Sequence, residues 1–86
     1  MINLTALALL LVLQVNHYVI VNSSYRTPEH NKRVGGKPHS KHIYGKAFDL
    51  ATHHLTKKET EALIRDSREL FDTVIIYKTH IHVHIK

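Results

Sequence analysis

The stretch His80-Ile81-His82-Val83-His84-Ile85 alternates imidazole and branched apolar side chains without a break. A helix would scatter such a pattern around its axis, whereas a strand sends successive side chains to opposite faces. Ile81, Val83 and Ile85 are therefore expected to enter a core, with His80, His82 and His84 together on the other face. Same-face neighbours on a strand lie ~6.6 Å apart. Two of these histidines can serve one site, but all three on a single ion would strain a straight strand. A merely solvated polar face would show the same alternation.

The rest of the chain must supply what that strand packs against. With 86 residues there is room for one domain, read as spanning 1–86, with a small core. Cysteine is absent, which excludes disulfides, thiolate zinc sites, iron–sulfur clusters and a cysteine nucleophile. Nine histidines are present instead, and imidazole is the commonest metal ligand. Glycine and proline are too few for collagen-like or low-complexity classes.

Charge is unevenly placed. Met1 to Tyr25 carries no Asp, Glu, Lys or Arg, while Arg26 to Lys46 has six basic residues against Glu29 alone. Such a loop attracts polyanions: nucleic acid, anionic lipid or the acidic polymers of a bacterial wall. A plain solvated loop fits as well. A nucleic-acid binder would want an aromatic stacking surface or a known motif, and neither is seen, so no specific nucleic acid is expected.

Leu4 to about Gln14 reads as a buried helix, apolar nearly all round. Roughly 20 apolar residues are needed to span a bilayer, and Gln14, Asn16 and His17 stop this run short. Stable membrane insertion is therefore not expected. A secretory signal would want a basic n-region and a small-residue cleavage site, and neither is clear; the length fits a signal h-region as well, but the run is read as core and not as a cleaved signal. Tyr18 to Val21 reads as a core strand, followed by a loop from Arg26 to Tyr44. Within it Pro28 suits the start of a helical turn over Glu29 to Val34. Lys46 to Ala51 alternates as a half-buried strand. Thr56-Lys57-Lys58-Glu59 is a capping box opening a helix that runs to about Leu70. Val74–Tyr77 and His80–Ile85 complete the set, joined by a tight turn at Lys78-Thr79. The expected class is α+β: a small, mainly antiparallel sheet with two principal helices packed on one face.

His42 and Asp49 lie seven residues apart, with Gly45 between them to let the backbone turn and small Ala47 beside Asp49. If that strand neighbours the last one, Asp49 and His82 point to one side and His42 arrives from the loop. The result is a three-ligand shell with a fourth position free, the pattern of catalytic zinc sites. An Asp49 paired with a lysine and a surface His42 would be the plainer reading.

The string from Asn22 to Leu50, NSSYRTPEHNKRVGGKPHSKHIYGKAFDL, resembles the zinc D-Ala-D-Ala carboxypeptidase family. In more detail it looks like the small phage and bacterial peptidases that cut peptidoglycan stem peptides. These share one zinc fold with lysostaphin and the hedgehog domain. The family pattern runs S-G-Y-R, a loop with N and G-G, then S-x-H-x-x-G-x-A-x-D, and a closing strand with a histidine. The resemblance implies Zn2+ held by His42, Asp49 and His82. It implies Arg26 at the edge of the active site against a substrate carbonyl or carboxylate, and Ser40 as a substrate-side or supporting hydrogen-bonding group. Many relatives carry an acid three residues before the last ligand as general base; here that position is Thr79. Other branches use H-x-H, which makes His80 the first candidate for the base; His84, where many small relatives have an Asp, is the second. Ser24 replaces the family glycine. The implied activity is a peptidoglycan-cleaving metallopeptidase, a D,D-carboxypeptidase or an L-Ala-D-Glu endopeptidase of endolysin type. It is expected to act as a monomer at the bacterial periplasm or cell wall. A non-catalytic, zinc-stabilised wall-binding module is the alternative.

Overall fold

The computed structural model describes residues 1–86. Its elements are α1 (Leu4–Asn16), β1 (Val21–Ser23), α2 (Pro28–Arg33), β2 (Ala47–Ala51), α3 (Lys57–Leu70), β3 (Thr73–Ile76) and β4 (His80–His84). The four strands form one antiparallel sheet in the order β1-β2-β4-β3. No helix is long and apolar enough to cross a membrane.

The alternation of β4 sorts the sheet into two faces. Phe48 stands opposite Val83 and Leu50 opposite Ile81. These four are buried against Ala6, Leu10 and Leu13 of α1, Leu63 of α3, and Phe71. The other face pairs Ala47 with His84, Asp49 with His82 and Ala51 with His80. Burying a Leu or Phe side chain contributes roughly 1.5–3 kcal/mol, so this one layer of branched and aromatic groups holds sheet and helices together.

Each helix begins on a side chain that satisfies a free N–H. Asn3 accepts from Ala6 N–H at 3.1 Å, and Thr27 accepts from His30 N–H at 3.2 Å with Pro28 at the first helical position. Thr56 and Glu59 close the expected capping box, at 3.1 and 2.9 Å.

Three local expectations are corrected. The first helix is not buried all round: Ala6, Leu10 and Leu13 are buried and Leu7 and Leu9 half-buried, while Leu4, Leu11, Val12 and Val15 are exposed. In a two-layer domain an outer helix meets the sheet with one stripe only. The first strand is Val21–Ser23, not Tyr18–Val21. Tyr18 is exposed, although Ile20 C=O already accepts from Ala51 N–H at 2.9 Å. The register then slips between Val21 and Ser23, which brings Ser23 opposite Asp49. Third, β2 is buried on both sides except at Asp49, because it runs centrally between β1 and β4.

The loop between β1 and β2 folds back over the imidazole face. Gly45 closes it with φ +68, where an added Cβ would overlap the backbone of Met1. At the far hairpin Tyr77 N–H donates to His80 C=O at 2.9 Å across Lys78-Thr79. The turn does this with no positive φ outside glycine.

Candidate metal centre

One row of residues crosses the sheet: Ser23 on β1, Asp49 on β2, His82 on β4 and Ile75 on β3. Asp49 and His82 meet because their strands pair in that register, and His82 Nδ1 lies 2.9 Å from Asp49 Oδ1. His42 comes from the loop. Its carbonyl accepts from Arg26 N–H at 2.9 Å and its N–H donates to Ser40 Oγ at 3.2 Å, which fixes the turn that carries the ring. The ring is buried and reaches to 3.2 Å from the same Asp49 Oδ1.

The outer partner of His42 decides its proton. His42 Nδ1 is 2.7 Å from Ser24 C=O, which can only accept, so Nδ1 carries the hydrogen. In the neutral ring Nε2 is then a bare lone pair, buried and without a hydrogen-bond partner. It faces a carboxylate oxygen, another electron-rich atom. Two such atoms 3.2 Å apart with no proton between them are what a cation reconciles. The donor atoms of His42, Asp49 and His82 all lie within 4.8 Å of one another, a group that can hold a metal ion. Two imidazoles and one carboxylate are a donor set suited to zinc.

Asp49 divides its oxygens. Oδ2 accepts from Arg26 Nη2 at 3.2 Å, leaving Oδ1 to the imidazoles. Burial by itself would raise this carboxyl. Whenever the ring nitrogens of His42 and His82 that face Oδ1 carry protons in place of a cation, they outweigh burial and hold it well below the usual carboxylate range. The same contacts favour the ionised form of this carboxyl.

Arg26 is held at three points, by Ser23 Oγ (3.1 Å), Asn31 Oδ1 (3.2 Å) and Asp49 Oδ2. Three of its five N–H groups are thus engaged. Around it opens a cleft of about 760 Å³, within the usual range for small-ligand sites. One wall is the Gly35–Lys41 loop, with Lys37, His39, Ser40 and Lys41; the other is Ile75, Tyr77, His80 and His84. His80 stacks on Tyr77, with ring centroids 4.7 Å apart and planes 17° apart, and its Nδ1 lies 3.1 Å from Thr79 Oγ. His84 Nδ1 is 2.8 Å from His82 Nε2. Burial, and then the charges of His82 and Lys41, push His84 below its ordinary value.

A family model described as Peptidase M15 matches residues 5–86. The chain belongs to the peptidase M15 family. That family includes zinc D-Ala-D-Ala carboxypeptidase, so the relatives are metallopeptidases and their substrates are peptides. No curated protein matches the chain.

Against this M15 background the seven residues expected from the sequence fall in one place. His42, Asp49 and His82 converge, and Arg26, Ser40, His80 and His84 line the cleft around them. Of the other histidines, His39 also lines the cleft wall, and His17, His30 and His54 lie elsewhere. His17 caps α1 and donates to Asp66 Oδ2 at 2.7 Å, joining α1 to α3 in addition to ending a helix. His54 Nε2 bonds Tyr18 C=O at 2.8 Å, and His30 is exposed on α2. Sequence reasoning gave no role to Asn31. It is buried, donates to Lys37 C=O at 2.6 Å and accepts from Arg26. The signal was the loop asparagine ahead of Gly35-Gly36 in the M15 pattern.

Proposed function

We propose that this chain is a zinc-dependent peptidase that hydrolyses peptide bonds in the stem peptides of bacterial peptidoglycan. The observation that carries the reading is the orphaned Nε2 lone pair of His42, buried against Asp49 Oδ1 beside His82. His42, Asp49 and His82 would hold the ion. Zinc, when bound, supplies Lewis-acid activation of water and of the scissile carbonyl.

The other residues bind, orient and move protons. Arg26, pinned on three sides, keeps two N–H groups for a substrate carbonyl or carboxylate. As a preorganised donor to developing negative charge it is worth roughly 10²–10³ in rate. His80 replaces the acid that many relatives carry at the position of Thr79. With Thr79 Oγ accepting from Nδ1–H, His80 Nε2 keeps its lone pair and takes the proton of the attacking water. Ser40 holds the His42 turn and lies in the cleft wall, in reach of a bound peptide backbone. Lys37 and Lys41 in the same wall suit an acidic wall peptide. Cleavage of D-Ala-D-Ala or of L-Ala-D-Glu, at the bacterial wall and in the manner of an endolysin, is the activity this cleft is proposed to serve.

One observation favours a second reading, a wall-binding module without turnover: Thr79 cannot act as the acid–base residue. Zinc-loaded protein incubated with defined stem peptides and followed by mass spectrometry separates the two. New termini that disappear in His42→Ala and Asp49→Ala support the peptidase. Retained wall fragments with no new amino groups support the binder.

A further inference from the structure

His84 is placed by strand geometry beside His82 and not within the His42-Asp49-His82 group. It is two residues further along the same face of β4, opposite Ala47, whose methyl side chain leaves room for a ring. The two imidazoles meet edge to face, with centroids 5.0 Å apart and planes at 73°. The short contact between them, His82 Nε2 to His84 Nδ1 at 2.8 Å, needs one N–H and one lone pair.

Two proton placements satisfy it. If His84 donates, the single proton of a neutral His82 sits on Nδ1, and the nitrogen facing Asp49 is an N–H that cannot ligate. If His82 donates from Nε2, its Nδ1 is a lone pair 2.9 Å from Asp49 Oδ1. Only the second placement matches what Ser24 C=O imposes on His42, where the outer nitrogen carries the hydrogen and the inner one is bare. Both rings would then turn a lone pair inward and an N–H outward to an acceptor, the arrangement that orients metal-bound histidines. We propose that His84 is a positioning residue whose Nδ1 accepts from His82 Nε2–H and so presents His82 Nδ1 to the ion. This rests on the zinc reading above. It gives His84 a role different from the second-choice proton acceptor that its position suggested in the sequence.

The test exploits side-chain shape. The Oδ1 of asparagine falls where His84 Nδ1 lies and can accept the same bond. Glutamine places its amide further out, nearer the ring's Nε2. Zinc affinity is measured by competition with a chromophoric chelator on wild-type, His84→Ala, His84→Asn and His84→Gln proteins, with circular dichroism reporting the fold. Wild type is expected to bind one zinc. His84→Ala should bind about 10–100-fold more weakly, His84→Asn should recover to within a few-fold of wild type, and His84→Gln should not. The visible spectrum of the cobalt-loaded protein should shift in His84→Ala and return in His84→Asn. A folded His84→Ala with wild-type affinity, or asparagine and glutamine behaving alike, overturns the role of His84 while leaving the zinc reading intact. Wild-type protein that takes up no zinc overturns both, and that arm is read first.

Discussion

A side chain added at Gly36 would overlap Asn31 Oδ1, the oxygen that accepts from Arg26 Nη1. The loop therefore closes on the amide only because position 36 has no Cβ. Gly36→Ala is expected to displace Asn31, release Arg26 from one of its three anchors and destabilise the fold by about 1–3 kcal/mol. The denaturant midpoint and kcat/KM on a stem peptide measure the two effects. A fully stable and active Gly36→Ala would mean that the loop has slack elsewhere.

Arg26→Lys separates charge from geometry. The guanidinium reaches Ser23, Asn31 and Asp49 through three different nitrogens, whereas an ammonium has one. Zinc should still bind, since the three ligands are untouched. Peptide hydrolysis should fall by on the order of 10²-fold, and full retention of rate would show that only the charge of Arg26 matters.

Acid stability should report the tie between the two long helices. Asp66 is held below its ordinary pKa, first by the hydrogen bond from His17 and then by Arg65. A carboxyl depressed in the folded state adds stability above the unfolded value, about 3.9, and loses it as pH falls through the folded one. Asp66→Asn should therefore flatten the decline of Tm between about pH 5 and pH 2 relative to wild type. Parallel curves would show that the pair contributes nothing to folding.

Thr56→Ala removes the hydroxyl that caps α3, and about 1 kcal/mol with it. The cap lies outside both the cleft lining and the His42-Asp49-His82 group, so zinc affinity should stay at the wild-type value. Urea unfolding and chelator competition on the same preparation check both halves.

The site was more legible in the sequence than parts of the fold. Period-two spacing put His80, His82 and His84 on one face before any contact was known, and the family motif S-x-H-x-x-G-x-A-x-D marked His42 and Asp49 as the imidazole and carboxylate expected beside them. The capping box and Pro28 marked helix starts because they act within a single turn. What escaped was set by neighbours distant in sequence. The apolar run of α1 could not say which stripe meets the sheet, and the bulge that aligns Ser23 with Asp49 shifted β1 past Tyr18. Asn31 looked like any loop amide until Gly36 and Arg26 were seen on either side of it. His17, which in the sequence only ended the apolar run, found its partner 49 residues away.

The central claim is that His42 Nε2, Asp49 and His82 Nδ1 enclose one ion. Anomalous diffraction at the zinc absorption edge, from crystals of protein loaded with one equivalent of zinc, tests it directly. The account predicts a single strong peak about 2.0–2.2 Å from each of those three side chains. A peak at another histidine, or none in protein that is otherwise folded, would contradict it.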